Sequence, residues 1–308
     1  MLRLLPLLAA LLVAGTACDP KPEGTQGSHD ASDGVLDALG RTVLLEAPPR
    51  RIVSLAPSNT EIVFALGLGD RLVGRDSLSD FPAAAAKVPS IGAMYPDPNF
   101  ESIAVKKPDL ILAAGTTRRA TVQALAGLGY TVYAASNATR LDDVFRDIAT
   151  IGKLVGADDQ AAKLLSSMKT RVDNVRSAVR DASPPRVFYE MDAGDPAKPW
   201  TAGPGSFVDE LVGIAGGTNI GRAGRKQYFQ LSLEVLLIQD PEVIILGSTK
   251  YGGVTPAGVE KRVGWNAMQA LKDDRVHAFD DDLVSRPGPR VVDGVETLAK
   301  LLHPDRFR

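Results

Sequence analysis

The chain has 308 residues, of which 44% are hydrophobic and 23% are charged, and its formal net charge is −2. This composition is ordinary for a globular protein with two units of domain size, and the charge excludes a general attraction to nucleic acid or to an anionic membrane. The single cysteine, Cys18, excludes an intramolecular disulfide and a zinc site built from several cysteines.

The first predicted element is a secretion signal over residues 1–17. It has one arginine, a short apolar run and small residues before Cys18, and it is too short for a stable transmembrane helix. The residues before Cys18 resemble a bacterial lipobox, so we predict that Cys18 is acylated and becomes the mature N-terminus. Cleavage after Ala17 without lipidation is the alternative. Residues 18–34 are polar and rich in Gly, Pro and Ser, which predicts a disordered tether.

Residues 35–140 are predicted to form an N-terminal α/β lobe. Short apolar runs at Arg51–Ala56, Leu110–Ala114 and Thr131–Ala135 are typical of buried strands, and helical patterns lie between them. The stretch from Ser58 to Glu61 is predicted to supply the N-cap and the acidic first turn of the first helix. Strands that alternate with helices predict a mainly parallel sheet that is covered on both faces.

Residues 141–183 have apolar side chains at about every third or fourth position, which predicts a long linking helix. Gly156 is a point where this helix could be interrupted, and Pro184-Pro185 ends it. The α/β pattern then returns, so residues 184–308 are predicted to form a C-terminal α/β lobe that finishes with an amphipathic helix.

The two halves carry the same short pattern at a constant offset. Glu101 and Pro108 precede the strand of the first half, and Glu234 and Pro241 precede the strand of the second; 234 − 101 and 241 − 108 both equal 133. A looser similarity relates the segment that begins at Glu61 to the segment that begins at Glu210. Two matches in the same order indicate duplicated lobes.

Motifs for catalysis are missing from the sequence. It has no G-x-S-x-G elbow, no Walker A loop and no H-E-x-x-H. Its three histidines, His29, His277 and His303, do not suggest a catalytic triad or a metal cluster. We therefore predict a binding protein with no catalytic residues, no metal and no cofactor. A secreted hydrolase on an α/β scaffold is the alternative, for which neither a nucleophile nor a base is apparent.

Several stretches resemble the helical-backbone substrate-binding proteins of ABC importers, a family that handles cobalamin, siderophores and haem. In the first half these stretches are RIVSLAPSNTEIVFALGLGDRLVG and NFESIAVKKPDLILA; in the second half WTAGPGSFVDELVGIAGGTNI and SRPGPRVVDGVETLAKLLHPD resemble the cobalamin branch. The resemblance covers residues from about 40 to 305. It implies two similar α/β lobes with mainly parallel sheets, joined by a single long α-helix, with a ligand cleft between the lobes that closes little.

The family also implies a location and partners. The protein is expected in the periplasm as a monomer, anchored to the inner membrane by its lipid, or on the outer face of the cell membrane in a host without an outer membrane. Its partner is expected to be an ABC permease dimer with its ATPase subunits, and no nucleic acid is involved. The docking carboxylates of the family fall on Glu101 and Glu234.

The resemblance assigns ligand binding to two residues after the first strand, to four aromatic residues and to one charged pair: Pro57, Ser58, Phe81, Tyr95, Trp200, Tyr228, Asp282 and Arg286. One family tryptophan falls on Ala114, where this chain has no aromatic ring. For Asp282 and Arg286, a structural salt bridge is the alternative role.

A corrinoid such as cobalamin is the predicted ligand, because a corrin offers wide apolar faces with a fringe of amides. A ferric siderophore or haem bound by the same fold is the alternative. Haem would use Tyr95 or Tyr228 as an axial ligand, and a siderophore would use Arg118, Arg119 or Arg286 against its negative charge.

Overall fold

The structure, a computed structural model, describes residues 34–192 and 194–307. The signal segment, Cys18 and all of the tether except Gly34 lie outside the described residues, so the predicted lipidation stays a prediction. Of the helices in the described part of the chain, none is long and apolar enough to cross a membrane.

The strands and helices alternate along most of the chain. The described strands are β1 (Val35–Leu36), β2 (Thr42–Val43), β3 (Ile52–Ser54), β4 (Leu72–Arg75), β5 (Leu110–Ala113), β6 (Val132–Ala134), β7 (Arg186–Asp192), β8 (Trp200–Ala202), β9 (Thr218–Asn219), β10 (Tyr228–Gln230), β11 (Val243–Leu246) and β12 (Val276–Ala278). The described α-helices are α1 (Pro57–Ala65), α2 (Phe100–Val105), α3 (Arg119–Gly127), α4 (Leu141–Val155), α5 (Asp158–Val179), α6 (Phe207–Ile214), α7 (Leu233–Gln239), α8 (Thr249–Gly252), α9 (Pro256–Glu260), α10 (Gln269–Lys272), α11 (Asp282–Ser285) and α12 (Val291–Leu302).

Each lobe is built around one sheet. The N lobe has a parallel sheet with strand order β4-β3-β5-β6, and the apolar residues of β3 and β5 are fully buried. The C lobe has the order β10-β8-β7-β11-β12, with β9 paired to β7. Here β7, β9, β11 and β12 run parallel, whereas β8 and β10 are antiparallel additions that were not predicted. The predicted fold of two α/β lobes with mainly parallel sheets is confirmed.

The long linking helix is shorter than predicted, because residues 141–183 form the two helices α4 and α5. Gly156 ends α4 in the left-handed conformation, with φ 70° and ψ 40°, which glycine adopts without steric cost. The second helix, α5, has 22 residues and leads into the C lobe. There Arg171 of α5 bonds to Glu296 of α12 at 2.6 and 2.8 Å. The single long helix between the lobes is therefore α5.

Helix α1 begins at Pro57 and has no side-chain cap, so the predicted cap at Ser58 is wrong. Proline is common at the first helical position, where its missing N–H costs no hydrogen bond. The polar residues that follow are buried, and the Thr60 hydroxyl bonds to those of Ser54 and Ser79 at 2.9 and 2.8 Å. Glu61 lies beyond the first turn of the helix and is also buried. Its carboxylate therefore makes a contact with another part of the chain rather than with the helix dipole.

The predicted repeat has a structural counterpart in α2 and α7. Asn99 and Ser232, 133 positions apart, cap these helices by accepting a hydrogen bond from a backbone N–H three residues later. Lys107 and Asp240, at the same offset, both adopt the left-handed conformation, with φ 45° and 42°. The same helix-to-strand unit is thus built once in each lobe.

Candidate functional site

A cavity of about 400 Å³ lies between the two lobes. From the N lobe it is lined by residues that follow the carboxyl ends of β3, β5 and β6, and from the C lobe by β10 and the segment after β12. The carboxyl ends of parallel strands are where α/β sheets commonly place ligands. We refer to this space as the inter-lobe cavity.

The structure brings four of the eight predicted ligand-binding residues to the wall of the inter-lobe cavity. Pro57 and Ser58 line it from the start of α1, and Tyr228 and Arg286 line it from the C lobe. Ser58 and Arg286 are buried, while Tyr228 is 42% exposed. Partial burial raises the pKa of the Tyr228 hydroxyl, so this group stays protonated at neutral pH.

Trp200 lies beside Tyr228 although it is not part of the cavity wall. In the pairing of β8 with β10, Tyr228 is opposite Ala202 and Gln230 is opposite Trp200, so both rings stand on one face of the sheet as diagonal neighbours. Each ring is 42% exposed. The two antiparallel strands therefore present an aromatic surface that continues outward from the cavity.

The other two predicted aromatic residues lie in loops of the N lobe and are not part of the cavity wall. Phe81 is 43% exposed, and the guanidinium of Arg290 lies 4.1 Å from the centre of its ring. One face of Phe81 is therefore already used by a cation–π contact that crosses between the lobes. Tyr95 is 90% exposed, and this exposure is no evidence of a contact with the cavity.

Arg286 forms a salt bridge with Asp282 at 3.0 Å within the C lobe, as in the alternative role given above for this pair. Asp282 is buried, bonds to Lys250 and accepts a hydrogen bond from Tyr251 at 2.9 Å. Asp282 thus has the structural role that was the alternative to ligand binding, while Arg286 has both this salt bridge and a place in the cavity wall.

Two carboxylates of the N lobe reach across to the C lobe. Asp80 accepts a hydrogen bond from Arg286 at 2.6 Å, and Glu61 accepts two from Arg290 at 2.7 and 2.9 Å. Burial raises the pKa of Glu61, and the pairing with Arg290 offsets only part of this effect. At Asp80 burial acts in the same direction, but Arg286 outweighs it and lowers the pKa of the carboxyl. We call the connected side chains of Glu61, Asp80, Lys250, Asp282, Arg286 and Arg290 the inter-lobe ion network.

Asn59 and Asp147 also line the cavity, and neither was predicted as a site residue. Neither amide atom of Asn59 has a hydrogen-bond partner within the described part of the chain, although the side chain is buried. An unpaired buried amide is costly, so it marks a place for a polar group of a ligand. Its position in the first turn of α1, soon after a buried strand, was the available signal, but in the sequence that position also fits a helix cap.

Glu101 and Glu234 lie on the exposed faces of α2 and α7, at matching places in the repeat. Four residues after each glutamate comes an exposed apolar side chain: Val105 is 76% exposed and Ile238 is 73% exposed. Residues four apart share one face of a helix. Each lobe therefore presents a carboxylate beside an apolar side chain.

Comparisons with known proteins agree with this geometry. The model of the periplasmic binding protein family matches residues 52–283. An uncharacterized ABC transporter substrate-binding lipoprotein of Bacillus subtilis, YvrC, is 34% identical, with 98% of this chain and 96% of that protein covered. The vitamin B12-binding protein of Vibrio cholerae is 32% identical, with 83% and 90% covered. The solved structure of the periplasmic heme-binding protein RhuT from Roseiflexus sp. RS-1 has a TM-score of 0.75 at 26% identity, with 83% and 99% covered.

Two α/β lobes around a cavity, joined by one long helix, define a two-lobed solute-binding protein. The chain belongs to the periplasmic binding protein family. It is an extracytoplasmic substrate-binding protein of the kind that works with the permease and ATPase components of ABC importers. It is not an enzyme, so the alternative of a secreted hydrolase is wrong.

Proposed function

We propose that this protein captures a corrinoid such as cobalamin in the inter-lobe cavity and delivers it to the permease of an ABC importer. The observation that carries the proposal is the charge of the cavity wall. Among the described lining residues Arg286 is the one cation, and it is paired with Asp80 and Asp282. A wall without free positive charge favours a ligand whose rim consists of neutral amides.

The same wall is poorly matched to anionic chelates. Haem carries two propionates, and catecholate siderophores hold iron in an anionic complex, so unpaired cations would favour the binding of both. Asp147 and Asp281, the two lining carboxylates, would repel such ligands further. Arg118, a candidate for siderophore binding, is paired with Asp97.

Haem would also need an axial ligand. No histidine is among the described residues that line the cavity, and the raised pKa of Tyr228 opposes the deprotonation that iron ligation requires. The heme-binding relative RhuT nevertheless shares the fold, so haem is included in the test below.

Aromatic and amide side chains supply the attractive contacts for a corrinoid. Trp200 and Tyr228 offer exposed rings on one sheet face, against which a flat apolar macrocycle gains area at little cost in side-chain entropy. Phe81 and Tyr95 are proposed to contact the ligand from the N lobe. The unpaired amide of Asn59 can both donate to and accept from an amide of the corrin rim.

Docking is proposed to use Glu101 and Glu234. A permease with two-fold symmetry requires one similar contact from each lobe, and these two carboxylates, each beside an apolar side chain, satisfy that requirement. The permease surface that they fit would carry a cation and an apolar hollow in each subunit.

Membrane attachment is proposed to occur through acylated Cys18. Full lipoprotein modification is expected because a single acyl chain holds a protein only weakly. Replacing Cys18 with Ser should release the protein from the membrane fraction; an unchanged membrane-bound share would contradict the proposal.

The test of the ligand is calorimetry of the mature protein with cyanocobalamin, haem and a ferric catecholate siderophore. We expect tight binding of cyanocobalamin and weak binding of the other two. An absorbance spectrum of protein purified from its host gives an independent answer, since the three chromophores differ strongly. Tight binding of haem or siderophore without corrinoid binding would move the assignment to that ligand.

A further inference from the structure

The formal charges of the inter-lobe ion network sum to zero. It contains three carboxylates, Glu61, Asp80 and Asp282, and three cations, Lys250, Arg286 and Arg290. Asp80 is the most exposed of the six side chains, at 56%, and the other five range from 2% to 39%. Asp80 is therefore the member that can be changed with the least disturbance of the fold.

Asp80 differs from Asp282 in what it neutralises. Asp282 is buried and its oxygens serve Lys250, Tyr251 and Arg286 together, so its loss would remove three contacts at once, including one to the buried Arg286. Asp80 belongs to the N lobe and bonds to Arg286 at 2.6 Å, with Lys250 at 3.5 Å from its other oxygen. Arg286 in turn faces the inter-lobe cavity. Removing the Asp80 charge would leave the network with one excess positive charge next to the ligand.

We propose that Asp80 is a specificity-determining residue: it cancels the charge of Arg286 by a direct contact from the N lobe and so makes the site prefer uncharged, amide-bearing ligands over anionic ones. This inference rests on the proposed function, since it assumes that the ligand lies in the inter-lobe cavity. Asp80 acts through Arg286 and is a positioning residue that need not touch the ligand itself.

The test compares two ligands that differ by one charge. Cyanocobalamin and its monocarboxylic acid, in which one peripheral amide is hydrolysed, are titrated into the wild-type protein and into Asp80→Asn. We expect the preference for the amide over the acid to fall by about fivefold in Asp80→Asn, the factor typical of one partly exposed charge pair. Asp80→Glu keeps the charge and should restore the wild-type preference. Asp173→Asn is the matched control, because Asp173 is also exposed and paired with an arginine, Arg176, but lies on α5 outside the cavity wall.

The outcomes separate this inference from the proposed function. If the wild type binds no corrinoid, the proposed ligand is wrong, and the comparison is made instead with haem and its dimethyl ester, which lacks both propionate charges. A preference for the neutral partner that is unchanged in Asp80→Asn, or that falls equally in Asp80→Glu, would overturn the role of Asp80. Failure of the wild-type protein to bind either pair of ligands would also overturn the role of Asp80. A changed preference in Asp173→Asn would show that the effect is one of overall charge and would overturn it as well.

Discussion

Two glutamates at related places in the two lobes make the same kind of contact, one tightly and one loosely. Glu61 of α1 binds Arg290, the residue before α12, and Glu210 of α6 faces Arg140, the residue before α4. The first pair is bidentate, with a shortest distance of 2.7 Å and side-chain exposures of 2% and 14%. The second has a distance of 3.7 Å and exposures of 19% and 67%.

The two glutamates differ in what else they and their arginines contact. Glu61 binds a cation that also contacts the ring of Phe81, so one mostly buried arginine connects three parts of the chain. Glu210 instead accepts a hydrogen bond from the Leu141 N–H at 2.8 Å and leaves Arg140 mostly in solvent. The contact of Glu61 therefore joins the two lobes, whereas Glu210 caps the start of α4.

The largest expected effect comes from breaking the tight contact. Glu61→Ala should lower the free energy of unfolding by about 3–5 kcal/mol, because it leaves the mostly buried Arg290 without its carboxylate. Urea denaturation of the two proteins measures the loss. Adding Arg290→Met to the Glu61→Ala variant should recover part of it, since the unpaired charge is then gone. A loss below about 1 kcal/mol would place this pair in the class of exposed ion pairs and contradict the comparison.

The second expected effect concerns ligand binding by β8 and β10, the antiparallel strands of the C lobe. Trp200→Ala and Tyr228→Ala should each weaken cyanocobalamin binding by about ten- to a hundredfold, the usual cost of truncating an aromatic contact. Tyr95→Ala is the comparison from the N lobe; with 90% exposure the ring has few contacts, and we expect a smaller loss. Calorimetry measures all three. Unchanged affinity in both C-lobe variants would show that the ligand lies elsewhere.

Local patterns were enough to predict the core of both lobes. The strands at β3, β5, β6 and β11 are short apolar runs whose burial follows from their composition, and the repeat around Glu101 and Glu234 could be found from its constant spacing. Gly156 was recognisable as a break, but whether a glycine ends a helix depends on the packing around it, so the two-helix outcome could not be derived.

The rest depends on contacts between distant parts of the chain. Strands β8 and β10 have three residues each and begin with exposed aromatic side chains, so they lack the apolar pattern of a buried strand. Glu61 and Asp80 pair with arginines that follow more than 200 residues later, and no local rule connects them. In the sequence Glu61 therefore looks like a helix-start residue, and Asp80 like an ordinary loop aspartate.

The third prediction concerns Glu101 and Glu234, which lie at matching places in the two lobes. Glu101→Ala combined with Glu234→Ala should lower ligand uptake by cells about tenfold, because each exposed ion pair contributes up to about 1 kcal/mol to docking. Ligand affinity of the purified protein should stay within about twofold, since neither residue lines the cavity. Glu46→Ala combined with Glu260→Ala is the matched control, with one exposed glutamate removed from each half. Normal uptake by the Glu101 and Glu234 variant would rule out docking through these carboxylates.

The smallest expected effect is a pH dependence at the loose contact. Burial raises the pKa of Glu210, and its hydrogen bond with the Leu141 N–H offsets only part of this effect. A carboxyl with a raised pKa in the folded state stabilises the fold below the pKa of the unfolded chain, about 4.3, and this contribution is lost as the pH rises through the folded value. Glu210→Gln keeps an oxygen for the Leu141 N–H but cannot ionise. The stability of the wild type relative to Glu210→Gln should therefore fall, by less than about 1 kcal/mol, as the pH rises from 4 to 7. Denaturation with urea at several pH values measures this difference, and because Glu61 is present in both proteins its own titration cancels. A difference that stays constant or grows with pH would mean that Arg140 and the Leu141 N–H outweigh burial and hold Glu210 ionised, which would contradict the assignment of a loose contact.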